Sequence, residues 1–361
     1  MVFKQVVIGV LGFKSGNQVV KTLFGIQDRI KTDFETLGYE LYDLLLAGVL
    51  ADFNPSPNSL LRIIPDDILA KLPFELLLTS PSSAKPYAAL PYLVRQYAVS
   101  YHYSATLWHN QAKKQSYQAA AEPSFVGFAP VYYNLNNNIN GHNTADNNIG
   151  LPPLQTNEQT CVALPYSEVE VMAISEVFTK HRIQTQTVLH QQATINQFKQ
   201  LAQHYKYLHI AGHSNINPQY PELTGIMFSP ADENTANHPT NDYTGAQTTT
   251  YPLLYMNEVY SLQLKADLVV LSCCDSGVGK TAVGEGVMAL NRGFLFAGAQ
   301  NVLFTLFKVY DHESYLLCKT FFELVLSNGY SYPEALRQAK CALIAQGKPP
   351  VKWGGYVLLG T

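Results

Sequence analysis

Two short runs hold the residue types of a thiol nucleophile and its base. Leu268-Val269-Val270-Leu271-Ser272-Cys273-Cys274-Asp275-Ser276-Gly277 reads as a buried strand that stops at a pair of thiols, and Tyr207-Leu208-His209-Ile210-Ala211-Gly212-His213-Ser214 as a strand that stops at a histidine. Parallel strands of one sheet bring their carboxyl ends to a common crevice, where α/β sheets place their chemistry. A histidine and a cysteine about sixty residues apart in sequence can face each other there. Side chains alternate across a strand, so only one of two adjacent thiols can face the crevice; Cys274 is expected outside and Cys273 inside. A thiol just past a strand, followed by Asp275-Ser276-Gly277 and then a helix, sits in backbone polarity that can lower its pKa and expose its sulfur. The competing reading is that both cysteines are small buried hydrophobes. An imidazole at His213, with an ordinary pKa of about 6.5, can take the thiol proton and later hand it to a leaving amine. His209, deeper on the same face, reads as structural.

Two other chemistries compete for these residues. His209, His213, Cys273 and Cys274 could ligate zinc, but structural zinc thiols are normally about two to four residues apart, and adjacent ones fit a tetrahedral site poorly. No metal or other cofactor is expected. Gly277-Val278-Gly279-Lys280-Thr281 begins like a P-loop, yet Cys274 stands where a Walker A motif needs its first glycine. The plainer reading is a glycine turn leading to a helix.

Positioning these groups takes a parallel sheet covered by helices, and the chain supplies the alternation from Ser167 onward. Helices are expected at 168–179 and 194–204, and strands at 184–188, 207–211 and 225–228. Beyond these come a strand at 267–271, a helix at 284–297, a strand at 301–306, and helices at 312–326 and 332–345. Ser331 and Glu334 suggest a capping box for the last helix. Upstream, a helix at 38–50 and strands at 61–64, 94–103 and 125–129 are expected, with Pro65-Asp66-Asp67 as a turn. The segment 132–157 is rich in Asn and Gly, too poor in apolar residues to repay ordering, and is expected to be a mobile surface loop. A second polar loop, 229–252, lies between the histidine and the cysteines and is expected to gate the crevice. An apolar segment, 353–359, closes the chain.

Composition bounds the answer. The chain has 361 residues, 47% hydrophobic and 14% charged, with a formal charge of -3. That is enough to bury one large core or two modest ones, and it gives no electrostatic reason to expect nucleic acid. The start, Met1 to Gly12, reads as a strand and not as a signal peptide, and no run of about 18 apolar residues exists to enter a membrane. Five cysteines, with Cys273 and Cys274 adjacent, fit a reducing, cytoplasmic setting better than a disulfide framework.

Several blocks together resemble the CHAT domain, a branch of the caspase and separase group of cysteine peptidases (clan CD). They are His209-Ile210-Ala211-Gly212-His213, Leu271 to Gly277, Gly284-Glu285-Gly286-Val287, Phe294 to Ala299 and Glu334-Ala335-Leu336-Arg337. Arg62 to Asp66, Leu72-Pro73-Phe74-Glu75, Ser104 to Leu107 and Trp353 to Gly360 also match, so the resemblance covers about residues 37 to 361. It implies an α/β fold: a caspase-like three-layer sandwich, its mostly parallel sheet flanked by helices, with an N-terminal pseudo-caspase-like extension. Residues 1–157 would form the N-terminal subdomain and 158–361 the catalytic one.

The resemblance makes Cys274 the nucleophile and His213 its partner. Ser214 stands where the family often has glycine, and Cys273 where it often has alanine. An oxyanion hole from the backbone N–H groups of Ser214 and Cys274 is retained in this reading. Thr305-Leu306-Phe307 replaces a frequent Ser-Leu-Trp block, which would alter a pocket wall. Asp275 and Asp311 are the acidic groups nearest the crevice and would select a basic residue before the scissile bond. Lys308 opposes that preference, and surface solvation or helix capping is the plainer role for either acid. The implied function is a cysteine endopeptidase that cuts a specific protein partner, under a regulatory partner protein or a loop. Family analogy points to a bacterial stress, defence or cell-death pathway, with a gasdermin-type pore former as a candidate substrate. A silent caspase-like scaffold and a nucleotide switch at Gly279-Lys280-Thr281 are the alternatives; the presence of both dyad residues argues against the scaffold.

Overall fold

Leu268-Val269-Val270-Leu271-Ser272-Cys273 is buried along its whole length because it runs through the middle of a sheet covered on both faces. The computed structural model describes residues 5–10, 31–82, 86–109, 122–130, 164–217, 220, 223–231, 251–273, 276–277, 280–282 and 286–360. Cys274, Asp275, the segment 132–157 and the interior of the 229–252 loop lie outside the described residues.

The chain starts with β1 (Gln5–Val10) and α1 (Lys31–Tyr42); the latter continues through a π-helical stretch, Asp43–Ala47, into a last turn, Gly48–Phe53. β2 (Leu60–Pro65), β3 (Ala98–Tyr101) and β4 (Ser124–Ala129) follow, then α2 (Pro165–Lys180), β5 (Gln184–Leu189), α3 (Ile195–Leu201) and β6 (Tyr207–Gly212). Three short strands, β7 (Ser214–Asn215), β8 (Gly225–Met227) and β9 (Leu253–Tyr255), form a separate small sheet, and α4 (Met256–Tyr260) leads to β10 (Leu268–Cys273). The remainder is β11 (Lys280–Ala282), β12 (Gly286–Met288), α5 (Leu290–Phe296), β13 (Asn301–Thr305), α6 (Asp311–Asn328), α7 (Tyr332–Ala345) and β14 (Tyr356–Leu359).

Among the described residues, the main sheet has nine strands in the order β1-β2-β3-β14-β13-β10-β6-β4-β5. Every neighbouring pair is parallel except β13 with β14, so two parallel halves point in opposite directions and meet at that seam. β4 lies between β6 and β5, inside the half that carries the histidine and cysteine strands. One face is covered by α2, α6 and α7, whose Phe178, Phe322 and Leu336 share a core with Leu268 and Val270. The other face is covered by α3, α4, α5 and the leucines of the first long helix, packed on Leu208, Ile210, Val269 and Leu271. The result is the three-layer α/β sandwich.

Three local expectations give way to longer-range contacts. The strand expected at 94–103 is only Ala98–Tyr101, because Leu93–Arg95 is a 3-10 turn. The Arg95 guanidinium closes that turn by donating to the carbonyls of Leu90 and Ala88. The helix expected from Gly284 starts only at Leu290: β11 and β12 form an antiparallel hairpin in which Lys280 pairs with Met288 and Thr281 with Val287. A Gly-Lys-Thr phosphate loop needs a helix opening at that lysine and threonine, and here both lie in a strand. The Ser331/Glu334 capping box is also absent: Ser331 caps without a side-chain bond, while Glu334 takes both its oxygens to Arg337 at 2.8 Å.

Candidate active site

β6 and β10 are adjacent and parallel, in register from Tyr207 with Leu268 to Gly212 with Cys273. His213 and Cys274 are therefore the residues that follow a paired couple at one end of the sheet. Alternation sorts the rest. Cys273 is fully buried and belongs to the core shared with Leu208, Ile210 and Leu271, its sulfur 3.6 Å from the Ile210 carbonyl. His209 points to the opposite layer, against Glu170 of α2 and the Phe322 ring of α6. The zinc set His209, His213, Cys273 and Cys274 thus fails, because His209 and Cys273 lie on opposite faces of the sheet. His213 is half-buried, and its carbonyl accepts from Met227 N at 2.9 Å; Ser214 pairs with Ile226 in the small sheet. This pairing fixes the backbone at the end of the histidine strand.

Cys273, Ser276 and Gly277, on either side of Cys274 and Asp275 in sequence, are all held by a single residue on the next strand. Thr305 Oγ1 donates to the Cys273 carbonyl at 2.5 Å, Thr305 N donates to Ser276 Oγ at 3.0 Å, and Gly277 N donates to the Thr305 carbonyl at 2.7 Å. Ser276 is fully buried. A β-carbon at Gly277 would come within 2.2 Å of the Phe304 ring, so only glycine fits that closely beside β13. Positions 273 and 276 are thereby held to the same threonine, bracketing Cys274 and Asp275. The sequence marks Thr305 only as a substitute in a pocket-wall block; its hydroxyl is what ties Cys273 to Ser276.

Below this end of the sheet, on the α2 and α6 side, lies a buried polar cluster. His209 Nε2 and Glu170 Oε1 are 2.7 Å apart, and both side chains are excluded from water. Cys318 of α6 completes the set of described residues with metal-ligating chemistry, the three ligand atoms lying within 4.8 Å of one another. Hydrogen bonds already join these groups: Glu170 accepts from His209 and from the Cys318 thiol, while Ser272 and Tyr356 exchange a bond of 2.7 Å beside Cys318. Burial, reinforced by the Glu170 charge, pushes the Cys318 thiol well above its ordinary range, which leaves it protonated and a poor nucleophile.

The remaining pocket candidates divide. Phe307, Lys308 and Asp311 all follow β13, which is parallel to β10 and ends at the same side of the sheet. Phe307 is half-buried and touches both cores; its ring would crowd a β-carbon at Gly355 to 3.0 Å. Lys308 is exposed. Asp311 opens α6 and accepts from Tyr166 N at 2.9 Å, tying the starts of α2 and α6 together. Burial, with help from Glu170, raises its pKa from 3.8 to about 6, against the opposing pull of the Tyr166 N–H and His312. A carboxyl with a raised pKa in the fold stabilises while protonated, and that contribution is lost as pH rises through about 6. Asp311→Asn keeps an acceptor for Tyr166, so its melting temperature is expected to gain on the wild type between pH 4 and 7. Thermal melts across that range check this, and parallel profiles would refute it.

The CHAT domain family model matches residues 35–361. Tetratricopeptide repeat protein 28 of Homo sapiens is 36% identical over 112 residues, which is 30% of this chain and 4% of that protein; its Mus musculus counterpart is 33% identical over 112 residues. The chain thus spans a small fraction of the length of these curated relatives. Among solved structures, the Arg-specific cysteine proteinase gingipain R of Porphyromonas gingivalis matches over 99% of this chain and 77% of its own, with a TM-score of 0.50 and 10% identity. The Saccharomyces cerevisiae separase in its securin complex matches 89% of this chain and 17% of its own, at a TM-score of 0.49 and 12% identity. No described helix is long and apolar enough to cross a membrane. The chain belongs to the CHAT domain family and has the caspase-like fold of the clan CD cysteine peptidases.

Proposed function

We propose that the chain is a cysteine endopeptidase whose nucleophile is Cys274 and whose acid-base group is His213. The observation that carries this reading is the register of β6 with β10, which pairs Gly212 with Cys273. In this reading the alternation continues by one residue, so that His213 and Cys274 would fall side by side on the face that holds His209 and Ser272. His213 takes the thiol proton, the thiolate attacks a peptide carbonyl, and the C–N bond breaks as His213 returns the proton to the departing amine. Water, deprotonated by the same imidazole, then hydrolyses the thioester. The backbone N–H groups of Ser214 and Cys274 stabilise the oxyanion. A basic residue before the scissile bond pairs with Asp275 and Asp311, with Phe307 as a wall and Lys308 at the rim. The substrate is a specific protein partner, and a regulatory protein or the 229–252 loop controls access. The bacterial defence setting and a gasdermin-type substrate rest on family analogy alone.

A peptidyl acyloxymethyl ketone alkylates a catalytic thiolate. Incubating the whole chain with arginyl and aspartyl probes, then sequencing the modified peptide by mass spectrometry, is expected to show one adduct, on Cys274, formed faster with the arginyl probe. Labelling of Cys273 or Cys341 in its place, or none with either probe, would overturn the assignment; faster labelling by the aspartyl probe would overturn only the basic preference.

A further inference from the structure

We propose that Arg62, Ser100, His102 and Trp108 form a binding site for a phosphate group, separate from the peptidase rim and independent of that reading. Arg62 on β2 pairs in register with Ser100 on β3, and His102 continues the ladder by donating its N–H to the Ile63 carbonyl at 3.0 Å. Leu61, Ile63, Val99 and Tyr101 face one core, so alternation sends Arg62, Ser100 and His102 together to the opposite face. The Trp108 ring closes over them, its centroid 5.1 Å from Arg62 Cζ and 6.0 Å from the His102 ring centre.

The relative exposures are 5% for Arg62, 0% for Ser100 and 4% for His102. Arg62 Nε and Nη1, Ser100 Oγ, His102 Nε2 and Trp108 Nε1 are all buried without a hydrogen-bond partner. Buried polar groups are paired in the great majority of cases, and a buried guanidinium without a counter-charge is among the costliest exceptions. Burial is the cause that lowers the Arg62 pKa, and among the described residues no carboxylate offsets it. An oxyanion satisfies these groups at once: the guanidinium Nε and Nη edge grips two oxygens side by side, and the indole N–H and serine O–H donate to others.

His102 selects among oxyanions. Burial and the Arg62 charge hold it neutral, its pKa lowered to about 4, and its other ring nitrogen bonds to the Gly360 backbone. Nε2 is then a lone-pair acceptor facing a cluster of donors. A phosphate that retains a P–O–H can donate to Nε2 while its remaining oxygens accept; sulfate and ionised carboxylates carry no such proton.

Entry depends on a small element. Trp108 sits among the helical residues 105–109, held by Trp108 N to the Ser104 carbonyl and Leu107 N to Ser104 Oγ, both 3.1 Å, with Leu107 exposed. Swinging that segment opens the site without disturbing the sheet. The strand registers place the cluster about 20 Å from Gly212 and Cys273, by strand rise and spacing.

The test uses the whole chain, with potassium phosphate, methyl phosphate and sodium sulfate titrated at constant ionic strength. Phosphate is expected to change Trp108 fluorescence saturably and, at roughly tenfold its dissociation constant, to raise Tm by about 2 °C or more. Sulfate is expected to bind at least tenfold more weakly. Methyl phosphate matching inorganic phosphate would identify a phosphomonoester as the ligand, and weaker binding would identify the free ion; either supports the site. Arg62→Met removes an unpaired buried charge and should fold at least as well, yet lose both responses. Trp353, the second of the two tryptophans, is buried with its indole N–H on the Lys348 carbonyl. Trp108→Phe should therefore abolish the fluorescence response while the Tm rise persists. An unchanged response in Arg62→Met, no saturable response in the wild type, or sulfate binding as tightly as phosphate would overturn the proposal.

Discussion

Cys274→Ala is expected to lower kcat/KM toward a peptide substrate by roughly 10⁴-fold or more while leaving the melting temperature within about a degree of the wild type. On the proposed mechanism the loss is large because the thiolate forms the bond that divides amide hydrolysis into two easier steps, and none of the other described cysteines can replace it. Cys273 lies in the opposite core, Cys318 is held as a thiol by burial and the Glu170 charge, and burial raises the Cys341 thiol as well. His213→Ala should cost a similar factor, and the double variant little more than either single one, since the two groups act as a unit. Cys273→Ala is the control. It removes a buried sulfur and should lower stability by about 1 kcal/mol with activity retained, in keeping with a small cavity in a tight core. Steady-state kinetics and thermal melts on the four variants check this. An active Cys274→Ala beside a dead Cys273→Ala would reverse the assignment of the two thiols.

The two strands that matter most were legible because central parallel strands are apolar on both faces and so read as unbroken runs. Tyr207 to Gly212 and Leu268 to Cys273 need no partner in view to be recognised, and their adjacency follows from the alternation of strands and helices around them. The segment 280–288 was not legible: Val287, Leu290 and Phe294 carry a helix-like spacing, and only the pairing of Lys280, Thr281 and Ala282 with Met288, Val287 and Gly286 makes it a hairpin. The supports of the site were hidden for a different reason. Glu170 is 39 residues from His209, and Thr305 is 32 from Cys273, and nothing local marks either as a partner. Thr305 reads as a hydrophobic-strand residue until β13 is seen beside β10. Glu334 shows the converse error, a local motif not realised because both its carboxylate oxygens bond to Arg337.

Lys340→Met is expected to destabilise the protein by about 3–5 kcal/mol, the largest effect on folding that the structure implies outside the apolar core. Lys340 on α7 and Glu75, in the Leu72-Pro73-Phe74-Glu75 block, are 265 residues apart in sequence and 2.7 Å apart in space. Both are almost entirely shut off from water, and Tyr101 of β3 donates its hydroxyl to the other Glu75 oxygen while accepting from Phe74 N at 2.8 Å. Burial pulls the Lys340 amine below its ordinary pKa, against the attraction of Glu75. Replacing only the lysine leaves a buried carboxylate with a phenol as its sole donor, and most of the loss comes from that stranded charge. Removing both charges in Lys340→Met/Glu75→Leu should therefore recover most of the stability, since a buried pair costs nearly as much to desolvate as it returns. Urea unfolding of the two single variants and the double one gives the coupling directly. If Lys340→Met alone were as stable as the wild type, the carboxylate would have to be neutral in the fold, and the link between the Leu72-Pro73-Phe74-Glu75 block and α7 would rest on packing alone.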